Sequence, residues 1–403
     1  MLVRENALEN TVSPTERNGA PIGRAPSHGV PITGGPPEEE AGAILTVDCG
    51  AIVANWRALA SHAAPAECGA VLKADAYGCG LEPVAKALAD AGCHTFFVAY
   101  LDEARRLRGA VHDAVIYVTN GIPPGGAAAF ADINAQPVIG SLAEISEWDA
   151  FRATGQWSGG AALHFDTGMN RLGLALEDAP ALAARARMLN HGFTLIMSHF
   201  ACSDVPDHAL NELQILALRE IRGMFRGIPA SMANSSGIYL GARAHFDLVR
   251  PGIALYGGNP TPGGSNPMKP VVNLKARVVQ VRDVERGATV GYNATWTARR
   301  ATKLAIACAG YADGYPRPMG ASDRVTGGEV LVAGQRCPVV GRVSMDLIAI
   351  DVTDLSGVPP KRGDFVTLIG EDIDIDQVGA WSRTISYDVL TRLGRRYHRV
   401  WKR

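Results

Sequence analysis

No stretch of this 403-residue chain is long and apolar enough to read as a membrane helix, which needs about 20 such residues. The first residues carry Arg4 and Glu5 but no apolar core, so they do not read as a secretory signal. Neither sign of charge is in excess: 39 Lys and Arg against 40 Asp and Glu leave a formal net charge of −1. Such a chain has no bulk attraction for nucleic acid or for an anionic membrane surface. Paired cysteines are lacking too. The seven (Cys49, Cys68, Cys79, Cys93, Cys202, Cys308, Cys337) are odd in number, scattered and never at zinc-ligand spacing. The pattern argues against a secreted disulfide framework and for free thiols in a reducing cytoplasm, with no metal site expected.

What is present suits an α/β enzyme. The length allows two or three domains, and 47% hydrophobic residues with 45 Gly and 24 Pro are ordinary for a soluble protein rich in tight turns. Residues 1–42 are mostly Pro, Gly, Asn, Ser and charge, ending Pro36-Pro37-Glu38-Glu39-Glu40. They hold too little apolar surface to order themselves, so a disordered N-terminal extension is expected there. Across 43–262, short apolar runs alternate with amphipathic stretches. The runs cover 68–73, 95–100, 114–119, 136–141, 161–166, 194–200, 231–235 and 246–255. Eight strands alternating with helices over this length predict a (β/α)8 TIM-type barrel. Beyond the Gly- and Pro-rich linker at 257–268, runs at 271–283, 302–309, 329–332, 337–343, 347–352 and 365–369 sit between close turn signals. They predict a mostly β C-terminal domain over 263–403, with a helix at 384–393.

Chemistry in such a barrel gathers at the C-terminal ends of the strands. Lys73, Asp166, His199, Ser235 and Arg250 each follow an apolar run directly. An ammonium at the end of a buried strand is costly to desolvate and sheds its proton readily, the state a nucleophilic amine needs. Taken alone, Lys73 better suits a lysine whose stem packs while its head reaches water.

A series of motifs in order decides between these. Lys73-Ala74-Asp75-Ala76-Tyr77-Gly78 is followed by Asp166-Thr167-Gly168-Met169-Asn170-Arg171, Ser198-His199-Phe200, Ala233-Asn234-Ser235 and Val249-Arg250-Pro251-Gly252-Ile253. Val290-Gly291-Tyr292-Asn293, Gly310-Tyr311-Ala312-Asp313-Gly314, Ser344-Met345-Asp346 and Ser386-Tyr387-Asp388 come later. From about Ala43 to its C-terminus the chain resembles the alanine racemases, pyridoxal 5′-phosphate (PLP) enzymes that interconvert L- and D-alanine, for peptidoglycan or in D-alanine catabolism.

The resemblance implies a role for each matching residue. Lys73 would carry PLP at its amine and act as one proton-transfer base; Tyr292 would be the base on the opposite face. A phenol has a reference pKa near 10, so it needs a cationic neighbour or a relay; His199 and Arg171 fill those places, and Arg171 would also grip the substrate carboxylate. Arg250 would face the pyridine nitrogen and leave it largely unprotonated, favouring return of the proton to Cα over transamination. Tyr77, Ser235, Tyr387 and the amides of Gly252 and Ile253 would hold the phosphate. Met345 and Asp346 would face the substrate beside Tyr292. Because Tyr292, Met345 and Asp346 lie in the β domain, the resemblance implies a homodimer whose sites the partner subunit completes. The chain departs from the family at His164, where relatives often carry a carbamylated lysine, and at Ser344, where many have cysteine. A broad-specificity PLP amino-acid racemase and a non-catalytic PLP-binding protein are the alternative readings.

Overall fold

The computed structural model describes residues 32–155, 157–188 and 192–403. Among them, parallel strands close into an eight-membered ring. In chain order the strands are Glu67–Cys68 continued as Ala70–Val71, then Thr95–Val98, Val115–Val118, Gln136–Ile139, Ala161–His164, Phe193–Met197, Ala230–Ser231 and Leu248–Val249. Glu67–Cys68 pairs with Leu248–Val249 while Ala70–Val71 pairs with Thr95–Val98, which shuts the ring. Gly69 makes the break possible, since a Cβ there would lie 2.9 Å from the Thr95 carbonyl oxygen.

Strands buried on both faces read as continuous apolar runs, and Thr95–Val98 is buried at every residue. Phe97 points inward with Tyr117, Val138, Ala162, Leu195, Met197 and Leu248 to fill the barrel. Phe96 and Val98 join the outer core under the helices. Removing the Phe97 ring would cost about 3–5 kcal/mol. The helices begin where polar side chains take up free amides. Asp48 accepts from Ala51 N–H at 2.7 Å ahead of Cys49–Ala63, and Ser141 from Glu144 N–H at 3.3 Å ahead of Leu142–Ala153.

The second layer is antiparallel. Val272–Val284, Thr302–Ala307, Ile348–Asp351, Gln335–Val340, Glu329–Val332 and Phe365–Ile369 follow one another in space, and Phe365–Ile369 returns to Val272–Val284. Closure leaves these six strands without an open edge. The 13-residue strand Val272–Val284 changes partner at a bulge near Val278, and so serves both neighbours.

Two expected boundaries need correction. Ala43–Asp48, assigned by pattern to the barrel, instead pairs with Val272–Val284 and His398–Lys402 in the β domain. Its alternate burial is that of a strand with one covered face, which the apolar count alone does not separate from a barrel run. The expected disordered stretch 1–42 is also too long. Ile32–Gly34 pairs antiparallel with His398–Lys402, an edge whose backbone supplies order that side-chain burial does not. Residues 1–31 of that stretch lie outside the described residues.

The β domain also reaches the barrel mouth. The buried Arg399 guanidinium donates to the Gly78 carbonyl at 2.7 Å, and Trp401 Nε1 donates to the Cys79 carbonyl at 2.6 Å. The C-terminal strand therefore grips the turn that follows Lys73.

Candidate active site

A cavity of about 530 Å³ opens at the C-terminal ends of the barrel strands. Lys73, Tyr77, Arg171, His199, Ser235, Arg250, Gly252, Ile253 and Tyr387, all singled out in the sequence, line it together.

Lys73 leaves the first strand into an unusual turn. Ala74, Asp75, Ala76 and Tyr77 all have φ between 53° and 56°, the left-handed region, before Gly78 at 77°. Non-glycine residues there cost about 1–2 kcal/mol each, so surrounding bonds must hold them. Ala76 N–H donates to the Leu72 carbonyl at 2.9 Å and Gly78 N–H to the Ala74 carbonyl at 2.8 Å. The turn swings Tyr77 back under the cavity, stacked on Tyr256 with ring centres 4.7 Å apart. The Lys73 side chain reaches solvent through the cavity mouth, yet its amine is enclosed enough that burial, then the Arg171 charge, lowers its pKa.

Arg250 is buried and makes four contacts. Its Nη1 donates to Ser231 Oγ at 2.5 Å, and Nη2 to the Ser198 carbonyl at 2.7 Å and the Met232 carbonyl at 3.3 Å. Nη2 also lies 3.3 Å from His199 Nδ1. Burial brings the guanidinium down to about 9. His199 is held well below its ordinary value, first by burial and then by the Arg250 and Arg171 charges. His199 is therefore neutral at neutral pH, so of the two expected parts, cation or relay, only the relay is open to it.

At one end of the cavity a hydroxyl gathers backbone amides. Ser235 Oγ accepts from Gly252 N–H at 3.0 Å and Ala254 N–H at 3.2 Å. Gly252 is required by contact: a Cβ there would sit 2.3 Å from Tyr77 Oη. Tyr387 closes this end, its ring centre 6.0 Å from that of Tyr77, and burial pushes its phenol up to about 12.

Arg171 arrives on a loop shaped by Asp166. Asp166 Oδ1 accepts from Gly168, Met169 and Asn170 N–H at 2.9, 2.9 and 3.1 Å. Burial raises that carboxyl, but the three donors outweigh it and hold the pKa below the usual value. Gln214, fully buried, ties this loop to the next: Nε2 donates to Thr167 Oγ1 at 3.1 Å and to the His199 carbonyl at 2.9 Å.

Tyr292, Met345 and Asp346 are not among the residues lining the Lys73 cavity. Tyr292 is 67% exposed and Met345 52% exposed on the β domain. Tyr292 borders a second hollow of about 590 Å³ with Arg342 and Ser344. Asp346 is paired with Arg396 Nη1 at 2.8 Å, and Arg396 Nε reaches Asp313 at 3.2 Å. Sequence reasoning missed Thr119 and Asn120, which line the main cavity after the third strand. The polar step Thr119-Asn120-Gly121 at the end of an apolar run was the available signal. It also missed Ser231, whose hydroxyl both accepts from Arg250 and donates to the Leu248 carbonyl at 2.5 Å; no local motif marks it.

A (β/α)8 barrel carrying a lysine, two arginines and five hydroxyls at one mouth, with a closed β domain attached, defines a class of barrel-plus-β enzymes. Comparison with known proteins narrows the class. Models of the alanine racemase N-terminal and C-terminal domains match residues 47–260 and 271–401. The alanine racemase of Methylobacterium sp. (strain 4-46) is 54% identical over 361 residues, 89% of this chain and 98% of that protein. A crystal structure of alanine racemase from Bartonella henselae with covalently bound pyridoxal phosphate superposes with a TM-score of 0.84 at 39% identity, covering 90% of this chain and 99% of that one. The chain belongs to the alanine racemase family.

Proposed function

We propose that this chain is a cytoplasmic, homodimeric, PLP-dependent racemase that interconverts L- and D-alanine, for peptidoglycan synthesis or D-alanine breakdown. One observation carries the reading beyond family membership: a lysine with a lowered pKa, two arginines and an amide-and-hydroxyl cradle face a single cavity. The residues fit the cofactor. The Gly252 position, where a Cβ would overlap Tyr77 Oη, leaves backbone and phenol side by side as donors for a phosphate. Lys73 would hold the aldehyde carbon, Arg250 the ring nitrogen.

When bound, pyridoxal phosphate supplies an electron sink that acidifies the Cα–H of the attached amino acid. Every other requirement falls to this chain. Lys73 takes or returns the proton on one face of Cα, and its lowered pKa keeps more of the amine neutral at physiological pH. Arg171 grips the substrate carboxylate. The opposite face needs a second base, and Tyr292 stands exposed on the β domain rather than in this cavity. Tyr292 of the partner subunit completes the site. Met345 and Asp346 of the partner subunit flank it. His199, neutral, relays a proton at its Nε2. Arg250 on the pyridine nitrogen is a donor-only group that does not protonate the ring, which disfavours the transaminase and decarboxylase outcomes.

All seven cysteines are free, which suits a reducing compartment. Among the described residues no helix is long and apolar enough to cross a membrane. The test is direct. The purified protein incubated with pyridoxal phosphate should absorb in the visible, racemise either alanine enantiomer, and after borohydride carry the label on Lys73 by mass spectrometry. A colourless protein inert toward both enantiomers refutes the proposal.

A further inference from the structure

Glu103 lies outside the cavity and outside every motif described above, yet it is bonded to the backbone on which Lys73 stands. The side chain is buried, with the residue 8% exposed. Oε1 accepts from Ala74 N–H at 2.6 Å; Oε2 accepts from Ala99 N–H at 2.8 Å and Tyr100 N–H at 3.2 Å. A buried carboxylate persists only where its acceptors are met, and here backbone amides meet both oxygens. The amides belong to two different barrel units. Ala74 follows Lys73 at the end of the first strand, and Ala99 follows the second strand, Thr95–Val98.

Capping explains only half of this. Glu103 is the third residue of the helix Leu101–Ala110, and its bond to Tyr100 N–H is a capping contact at that helix start. Capping gives no reason for Oε1 to reach Ala74. The left-handed turn does. Ala76 and Gly78 donate within the turn, but the Ala74 amide points out of it, and Glu103 receives it.

We propose that Glu103 is a positioning residue for Lys73, its carboxylate closing the left-handed turn onto the end of the neighbouring strand and so fixing how the amine enters the cavity. The proposal rests on the assignment of Lys73 as cofactor carrier and base. It has an electrostatic side. The amine shares its cavity with Arg171, Arg250, His164, His199 and Tyr77, while the neighbouring Asp75 is engaged by Arg106 on the outer side. Burial, Arg171 and Arg250 all disfavour the charged amine, and Glu103 opposes them.

Glu103→Gln separates the possibilities. The amide keeps the shape but turns one acceptor into a donor, so it cannot serve Ala74 on one side and Ala99 with Tyr100 on the other. In the cofactor-free protein, the rate of capture of pyridoxal phosphate at Lys73 is followed against pH after borohydride fixation, with the labelled residue read by mass spectrometry. Capture needs the neutral amine, so losing the carboxylate should move the half-maximal pH downward, by about one unit. With the cofactor restored, kcat should fall on the order of tenfold to a hundredfold while KM stays within about twofold. A lower unfolding temperature with an unmoved capture profile and unchanged kcat would mean a cap and nothing more, and overturns the proposal. If Glu103→Gln does not fold, Glu103→Asp keeps the charge on a stem too short to span both groups of amides. Its capture profile should stay in place while kcat falls, and an unchanged kcat overturns the proposal equally. Failure of the unaltered protein to label Lys73 would instead sink the assignment of Lys73 itself, and this proposal with it.

Discussion

Arg250 Nη2 stands 3.3 Å from His199 Nδ1, and this contact decides the histidine's tautomer. A guanidinium can only donate, so Nδ1 is the acceptor and the ring hydrogen resides on Nε2. Burial and the Arg250 charge also keep the ring neutral. The positive charge near a phenol entering this cavity must therefore come from Arg171 or Arg250 rather than from His199.

Tyr292→Phe should slow racemisation of both enantiomers by the same factor, on the order of 10²–10⁴. The enantiomers are equal in free energy, so removing one base cannot impair one direction of kcat/KM alone. The asymmetry appears elsewhere. The resemblance to the alanine racemases implies that Lys73 takes the proton from D-alanine and Tyr292 from L-alanine, so in deuterated water the variant should still exchange the α-hydrogen of D-alanine and not that of L-alanine. Proton NMR of recovered substrate reads this directly. Equal exchange into both enantiomers would remove Tyr292 from its role.

Mixed dimers test the shared site. Lys73→Ala and Tyr292→Phe chains should each retain about 1% of the activity or less. Unfolded together and refolded, half of their random dimers contain one chain of each kind, with one intact Lys73 facing one intact Tyr292. Activity should return to about a quarter of the unaltered level per site. If both residues served within one chain, none would return.

Gly252→Ala places a methyl group where Tyr77 Oη stands, and Tyr77 is wedged against Tyr256. Overpacking of this kind costs about 1–3 kcal/mol. We expect weaker pyridoxal phosphate binding by about tenfold to a hundredfold, measured by absorbance titration of the cofactor-free protein. Ser235→Ala should weaken binding less, because the amides of Gly252 and Ala254 remain. The reverse order would contradict a backbone-dominated anion site.

Stability of the cofactor-free chain should fall on the acid side. His164 is lowered to about 4, first by burial and then by Arg250. Between its unfolded value near 6.5 and about 4, the unfolded chain binds a proton at this site and the folded chain does not. Its contribution is therefore complete above about pH 6.5 and lost as pH falls toward 4, about 3 kcal/mol in all. His199 acts in the same direction. Asp166, lowered from 3.8, begins to matter only below that window. Urea midpoints between pH 7.5 and 4.5 should decline, and His164→Asn should flatten the decline. An equally steep decline in the variant would exclude His164.

The barrel was legible because its signal is local. Thr95–Val98 and Ala161–His164 are apolar throughout, and period and length suffice to place such strands. The site lysine, arginines and hydroxyls were legible for a related reason: barrel geometry puts whatever follows each strand at one mouth. Ala43–Asp48 was not, because an alternating strand gives no hint of which sheet it joins, and its partners are more than 200 residues away. Glu103 and Ser231 were invisible because each acts through a bond to a group remote in sequence, the Ala74 amide for Glu103 and the Arg250 guanidinium for Ser231, which no spacing records.

Short-range patterning thus determined the two-domain plan and most of the residues that line the Lys73 cavity, and the motifs in order carried the resemblance to the alanine racemases. The tertiary structure alone decided the left-handed turn that aims Lys73, the neutral state of His199, and the separation of Tyr292 from the lysine cavity. Each depends on which groups burial brings together, and a linear chain does not contain that information locally.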